Sequence, residues 1–511
     1  MQAVKKYIPF FSSALLMWVV LYIIYPHYQY YIDPDGTAYL TISKRYANGD
    51  YHRAINGYWS PWSCWLTALL IKTGIAATPA SVIINSIGAA GFLFISQSFF
   101  LKFGIERKMQ WLFNVTLAFF LCYAVFWQSF DDLWECFFLL STLRMMLSDG
   151  FSVKPGLWIA SGFIGTLAYF AKAYSFPFFT LNTICCGYFI DKKQWLKISA
   201  TAIGVMVLFS LPWIWLLHNK YGIWTTSTAG PLNTSWYLVG HPQWKEGINI
   251  LVPPAYPDSP SYWEDPWFVN GATPHFWNSW HLFGLQILRI GLNMWKFIVS
   301  SFQLSVFFIV IVGYAKWNVI WKRNAPIAKE QRVLILSFLL FTIGYILVNF
   351  ESRYLWYMVP LSIVLGMTSL QKISSRKLQS VLLIAFSLSF LVYPAWTMRK
   401  IFNEGAKEFE VAKQLKAINI KGTFTCNTYP GVGIQRTERL AYFSDMQLYC
   451  LPGNVATQEN LLRDMKRYHV NYLFYLGVSP HEQILLDGMW RSYPEVAKDS
   501  IKGIGVYRIN P

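Results

Sequence analysis

Apolar stretches of roughly 17–25 residues recur along this chain, separated by short basic turns, and that is the length a helix needs to cross a hydrocarbon core. The first, Tyr7 to Tyr25, follows Lys5 and Lys6. It is too long for the apolar core of a signal peptide and no small-x-small cleavage pattern follows, so it reads as a retained span. Further spans are expected at about Ala80–Leu101, Met109–Trp127, Leu133–Leu147, Leu157–Phe170, Leu196–Leu217, Leu292–Tyr314, Val333–Phe350, Tyr354–Leu370 and Gln379–Trp396. The apolar stretch from Leu157 to Ile190 is too long for one crossing, and Lys172 interrupts it. A charge at mid-bilayer costs about 2.5–3.5 kcal/mol on insertion scales, so the pattern predicts a hairpin turning at Lys172. The tally is eleven spans.

Between and after the spans the pattern changes. Residues 28–74 mix aromatics, charges and short apolar runs such as Trp62 to Ile71, which predicts a first external loop carrying juxtamembrane helices. Residues 218–289, rich in Trp, Pro and His, read as a large external loop with some interfacial helix. From residue 401 the chain alternates: helical at Glu404–Ile418, strand-like at Gly422–Cys426, helical at Gln458–Tyr468, strand-like at Tyr472–Leu476 and Gly505–Ile509. That alternation predicts a small α/β domain over 401–511, after a transmembrane domain over 1–400. Gly431 and Gly433 in the tail make no phosphate-binding glycine pattern, and neither an internal repeat nor a low-complexity tract is visible.

Composition agrees with an α-helical polytopic membrane protein. Of 511 residues, 54% are hydrophobic and only 14% charged, where a soluble globule would carry about 25% charged residues. The formal net charge of +17 would suggest nucleic acid in a soluble protein. Here the cations gather in turns that must share one side: Lys5-Lys6, Lys102 to Lys108, Lys192 to Lys197, Lys316 to Arg332 and Lys372 to Lys377. The positive-inside rule makes that side the cytoplasm, with contact to anionic lipid headgroups a second role. The N-terminus is then cytoplasmic, and an odd number of crossings leaves the tail domain outside an inner, cell membrane. The seven cysteines show no metal spacing; Cys426 and Cys450 in the tail are compatible with a disulfide or with two free thiols.

This sidedness brings a set of ionisable residues to one depth. They are Asp33 and Asp35 after the first span, Asp131 and Asp132 at the start of the fourth, Lys172 in the hairpin turn, and Glu351 with Arg353 between two late spans. Charge at such a depth must be paired or useful. Carboxylates beside Lys and Arg suit sugar transfer from a lipid phosphate: one carboxylate takes a proton from the acceptor hydroxyl, the cations hold the departing phosphate, and a second carboxylate orients the acceptor or binds a divalent cation. No Ser-His-Asp or zinc arrangement is present.

The run Asp33-Pro34-Asp35-Gly36-Thr37-Ala38-Tyr39-Leu40, followed by Gly57-Tyr58-Trp59-Ser60-Pro61-Trp62, resembles the first external loop of C-type (GT-C fold) membrane glycosyltransferases. These use polyprenyl-phosphate sugars and include protein mannosyltransferases and the lipid A aminoarabinose transferase. Phe130-Asp131-Asp132-Leu133 is similar to the acidic start of that family's fourth span, Ala171-Lys172-Ala173 to its Lys-bearing hairpin, and Ser352-Arg353-Tyr354-Leu355 to its late Arg-Tyr element. The likeness covers roughly the first 400 residues in layout, and rests on the order and sidedness of the motifs. It departs from the family in lacking Gly or Pro beside Lys172 and in spacing its first acids as Asp-Pro-Asp.

What the resemblance implies is an inverting transferase of hexosyl or pentosyl groups. Asp33, Asp35, Asp131 and Asp132 would be its catalytic acids and Lys172 and Arg353 would bind the donor phosphate. A polyprenyl-phosphate-linked sugar would be the donor and a lipid, glycan or protein the acceptor. No cofactor is required by this reading, and a divalent cation is compatible with it.

Each residue also has a plainer role open to it. Pro34 forces extended or turn geometry at Asp33, while Asp35 could cap a helix Ala38–Tyr46; Asp33 is preferred as the base. Of Asp131 and Asp132, one as helix cap and one in the site is the expectation. Lys172 could snorkel to headgroups, and Arg353 could pair only with Glu351. His241, His275 and His281 read as loop histidines, and Trp263, Trp267, Trp277 and Trp280 as an interfacial belt, of which some could stack on a sugar. Two other classes compete. A transporter or flippase predicts internal symmetry and broken helices at mid-membrane, and a non-catalytic scaffold predicts that Asp33→Asn and Asp131→Asn leave function intact.

Overall fold

A computed structural model describes residues 5–127, 131–239, 251–266, 274–307, 310, 329–371, 373–427, 432–450, 458–476, 493–496, 501 and 503–509. Phe130, His241, Trp267, Lys372, Gly431 and residues 316–328 of the fourth basic turn lie outside this set.

The chain enters through α1 (Ile8–Tyr28), then forms α2 (Pro34–Asn48) and α3 (Trp62–Lys72) before α4 (Ala77–Lys102) and α5 (Arg107–Phe126). There follow α6 (Asp132–Met146), α7 (Pro155–Ala171), α8 (Ser175–Ile190) and α9 (Trp195–Tyr221). The short α10 (Ala229–Val239) precedes α11 (Trp280–Leu304), α12 (Lys329–Val348), α13 (Met358–Leu370) and α14 (Arg376–Lys400). Seven of these helices, α1, α4, α5, α9, α11, α12 and α14, are long and apolar enough to cross a membrane by length and composition. Shorter apolar helices, α7, α8 and α13, lie among them.

The fold is that of an α-helical polytopic membrane protein. Its outer surface explains the composition: on α11 alone, Trp280, Ile287, Leu288, Leu292, Met294 and Trp295 are exposed, as suits a helix whose solvent is lipid. Its interior is aromatic, with Phe92, Phe99, Phe113, Tyr357 and Trp356 buried. Helices are joined there by amide pairs, Gln97 donating to Gln110 Oε1 at 2.9 Å and Asn114 to Gln97 Oε1 at 2.8 Å, the polar glue that works where lipid removes the hydrophobic drive between helices. Close approach uses glycine: a Cβ on Gly162 of α7 would stand 2.3 Å from the Ala202 carbonyl of α9.

Most expected spans fall within a few residues of observed helices, and the stretch Leu157–Ile190 is a hairpin with Lys172 as the C-cap of α7. The exception is the span expected at Leu292–Tyr314, which begins twelve residues earlier, at Trp280, and ends at Leu304. Arg289 and Gln286 lower the hydropathy of its first turns, yet both are satisfied internally, Arg289 by the Tyr237 carbonyl at 2.6 Å and Gln286 by that of Leu347 at 2.6 Å. The large loop is correspondingly shorter than 218–289, because α9 runs on to Tyr221.

The tail is a small α/β unit. Helix α15 (Ala406–Ala417), β1 (Thr423–Cys426), α16 (Val432–Ser444), β2 (Gln447–Leu448), α17 (Gln458–Arg467), β3 (Tyr472–Leu476) and β4 (Ile504–Arg508) form it. Its sheet has the order β2-β1-β3-β4, with β1 parallel to β2 and β3, and β4 antiparallel to β3. Phe424 pairs with Tyr472 and Phe474 with Val506; Phe424, Phe474 and Val506 are buried against Leu415 and Leu440. Helix α16 and strand β2 were not expected. Cys426 and Cys450 are both buried.

Two fastenings set the tail against the membrane helices. At the exit of α14, Asn403 N–H donates to the His27 carbonyl at 3.0 Å, and Gly405, at φ +86°, lies so close to the Tyr30 carbonyl that a Cβ would stand 2.0 Å from it. Glycine is required there by both the positive φ and the contact. The second is residues 251–266, wedged between the tail and the first loop. Val252 and Cys450 exchange backbone hydrogen bonds at 2.8 and 3.0 Å. On the other side, buried Arg45 of α2 pairs with Glu264 and, at 3.1 Å, with Asp258, while Asn56 donates to the Glu264 carbonyl at 2.7 Å.

Candidate active site

The acids of the first loop are placed by a helix start. Pro34 occupies the first turn of α2, where its fixed φ is already helical and its missing N–H costs nothing. This leaves Asp33 extended, at φ −84° and ψ 172°, with its Oδ1 accepting from Gly36 N–H at 2.8 Å. Asp33 is therefore the N-cap, a role the sequence had left open to Asp35, and the expected helix start is corrected from Ala38 to Pro34, because proline favours the N1 position. Asp35, freed from capping, accepts from Trp263 Nε1 at 3.1 Å and pairs with Arg353 at 3.1 Å.

The second acid pair heads α6. Asp131 stands at the N-cap position but makes no capping bond; it accepts instead from Ser63 of α3, from the backbone N–H at 3.2 Å and from the hydroxyl. It joins two helices where capping of one was expected. Asp132 turns the other way, pairing with Lys172 and lying 3.7 Å from Arg353.

Both cations are thus held by carboxylates. Lys172, carried by the α7–α8 hairpin, pairs with Asp132, lies 3.9 Å from Glu135 and sits over the Tyr354 ring at 4.5 Å. Arg353, in a 3-10 turn between α12 and α13, pairs with Glu351 at 3.0 Å, with Asp35 and more distantly with Asp132. Neither cation is left to lipid headgroups, and Arg353 pairs with more than Glu351. Burial pulls the Arg353 pKa down, but the Glu351, Asp132 and Asp35 carboxylates outweigh it and hold the guanidinium charged.

All six residues, Asp33, Asp35, Asp131, Asp132, Lys172 and Arg353, line one cavity of about 1050 Å³. Residues separated by more than three hundred positions in sequence converge in it. One wall is aromatic, with Tyr58, Trp59, Trp236 and Trp263; another is apolar, with Pro177, Leu347 and Val348. Burial dominates the electrostatics of two acids. It pushes Asp33 up to about 7, with the neighbouring Asp35 charge adding to it, and Asp131 up to about 8. The Oδ2 of Asp33 is buried and makes no hydrogen bond.

Sequence reasoning missed two acids here. Glu135 is one turn below Asp132 on α6, beneath Lys172, and accepts from Ser175 Oγ at 3.1 Å and Tyr345 at 3.3 Å; its i, i+3 spacing from Asp132 was an available signal. Glu438 of α16 lines the cavity from the tail domain, and nothing local in the sequence announces it. Among the described histidines, His275 and His281 are outside the cavity lining. Trp263 lines it, while Trp277 and Trp280 are exposed. Among the described residues no group of three His, Cys, Asp or Glu side chains is arranged to hold a metal ion.

No protein family and no curated protein matches this sequence. Solved structures do match in fold. The chain is similar to ArnT from Cupriavidus metallidurans in the apo state, with a TM-score of 0.58 at 12% identity over 100% of this chain and 98% of that one. The same protein bound to undecaprenyl phosphate gives 0.54 at 12% identity, covering 98% and 97%. An oligosaccharyltransferase of Archaeoglobus fulgidus, in complex with Zn and sulfate, gives 0.57 at 11% identity over 91% of this chain and 67% of that one. These are GT-C fold membrane glycosyltransferases, and GT-C is the fold of this chain.

Proposed function

We propose that this chain is a membrane glycosyltransferase that moves a sugar from a polyprenyl-phosphate donor to an acceptor hydroxyl on the non-cytoplasmic side, with inversion. The observation that carries the reading is the convergence of Asp33, Asp35, Asp132, Lys172 and Arg353 on one cavity with an apolar wall. The fold likeness adds to it, since one similar structure is bound to undecaprenyl phosphate.

In this reading the prenyl tail lies along the Pro177–Leu347–Val348 wall and the phosphate sits between Lys172 and Arg353. Asp132 spans those two cations and fixes their separation, so the site is organised before the donor arrives. Asp33 takes the proton from the acceptor hydroxyl. The acceptor hydroxyl oxygen attacks the anomeric carbon as the bond from that carbon to the phosphate oxygen breaks, and polyprenyl phosphate leaves with the electron pair, stabilised by the two cations. Asp35, tied to Arg353 and Trp263, holds the loop that presents Asp33.

The test is glycan and glycolipid profiling of a strain lacking the gene, complemented with wild type or Asp33→Asn. The expected result is a missing sugar restored by wild type alone, at equal membrane abundance of both proteins. Restoration by Asp33→Asn would overturn the catalytic reading and favour a scaffold.

A further inference from the structure

The cavity's outer wall belongs to the tail domain. Glu438 of α16 is fully buried and lines the cavity together with Gln435, one turn before it. Ser261, from the wedged loop segment, donates to Glu438 Oε1 at 2.9 Å. Oε2 is buried without a hydrogen bond of normal geometry; the neighbouring Thr37 hydroxyl donates to the Pro34 carbonyl at 2.7 Å. A buried carboxyl whose second oxygen has only the Thr37 hydroxyl beside it, itself engaged by Pro34, keeps hydrogen-bonding capacity for a ligand in the cavity.

The surroundings define that ligand. Asp33 and Asp35 are close enough to raise the Glu438 pKa further after burial, which together take it to about 8. Three carboxyls, Asp33, Asp35 and Glu438, gather in this part of the cavity, and the cation beside them, Arg353, is already paired with Asp35, Glu351 and, more distantly, Asp132, so a phosphate or carboxylate group is disfavoured here. The side chains of Tyr262 and Trp263 form the adjoining surface, and a sugar ring presents C–H faces to aromatic rings and hydroxyls to a carboxyl. We infer that Glu438 and Gln435, with Tyr262 and Trp263, form the acceptor site, and that the acceptor is a neutral sugar ring of a glycan. This rests on the transferase reading above and narrows its acceptor from lipid, glycan or protein to a glycan. Glu438 is then a binding residue that bridges the tail domain to the base, offering hydrogen bonds to the acceptor while Asp33 takes its proton.

The experiment is saturation-transfer NMR on the full chain in detergent, with methyl hexosides and methyl pentosides as neutral probes and a methyl hexoside 6-phosphate as the anionic one. Undecaprenyl phosphate binding and thermal midpoint are measured on the same samples. Neutral glycosides should bind wild type, and Glu438→Ala should weaken them at least about tenfold. Glu438→Gln, which keeps the shape and hydrogen-bonding capacity of a protonated acid, should stay within about threefold of wild type. Gln435→Ala, on a partly exposed position, should weaken glycosides without lowering the thermal midpoint. Undecaprenyl phosphate binding should be unchanged in all three. Glycosides that fail to bind wild type, that bind Glu438→Ala and Gln435→Ala unchanged, or that bind more weakly than the 6-phosphate would overturn the acceptor proposal while leaving sugar transfer standing. A glycan profile unaltered by gene deletion, with glycoside binding intact, would overturn the transfer reading instead.

Discussion

Two acid pairs meet at Arg353 in the cavity, and they are built alike to a point. In each, the first residue is buried and makes no ion pair, while the second pairs with a cation: Asp35 with Arg353, Asp132 with Lys172. They differ in what holds the first. Asp131 is bound by two donors from Ser63, and so joins α3 to α6. Asp33 is bound by one, from its own helix. A carboxyl that ties one helix to another is committed to packing; one bound only within its own helix start is freer to take a proton. Adjacent acids divide the work between a charged member that organises cations and a proton-holding member.

The sharpest way to break this comparison is to neutralise each first acid. Asp33→Asn is expected to lower the turnover of purified enzyme by about 10²–10⁴-fold, the range for a lost general base. Asp131→Asn should lower it about tenfold or less and act mainly on thermal stability. Equal losses would remove the distinction. Next, Arg353→Ala strips Asp35 and Asp132 of a shared partner, and a lost charge-assisted bond worth about 1.5–3 kcal/mol should raise the donor KM roughly 10- to 100-fold, measured with the acceptor saturating.

A pH profile comes third. As base, Asp33 must be ionised, so the rate against acceptor should rise tenfold per pH unit and level off near pH 7, the value burial imposes on it. Stability should move the opposite way. The folded state keeps this proton above the pKa of the unfolded chain, near about 4, so it binds more protons than the unfolded state up to about pH 7. The thermal midpoint should therefore fall as pH rises through that window, and Asp33→Asn should flatten the fall. The smallest effect is expected at Ser63→Ala, which removes one donor from Asp131. It should cost about 1–3 kcal/mol of stability while leaving turnover within about threefold, read by thermal melting and activity of the same sample.

How far the sequence could reveal this site follows from where each residue sits. Lys172 was legible because one charge inside a long apolar stretch leaves a hairpin as the cheapest arrangement. Asp33, Asp35, Asp131, Asp132 and Arg353 were legible because each abuts a span end, where sidedness alone brings them to a common depth. The roles within the first pair were not, since helix start depends on whether Pro34 lies inside the helix or before it, a difference of a few residues. The start of α11 was hidden because a window average cannot know that Arg289 and Gln286 find carbonyl partners. Glu438 was hidden for a deeper reason: its helix was not expected from the sequence, and only the packing of three remote segments turns this acid towards the cavity.

Gly405 has a bearing on how substrates reach the centre. A backbone pressed flush to the Tyr30 carbonyl, three residues before Asp33, leaves the tail no room to pivot there. The outer wall is bolted to the same stretch of chain that carries the base, so a substrate reaching the centre meets the two as one piece. A larger residue at this position would pry the wall and the base apart together, and would jam the doorway's fixed post without touching the door.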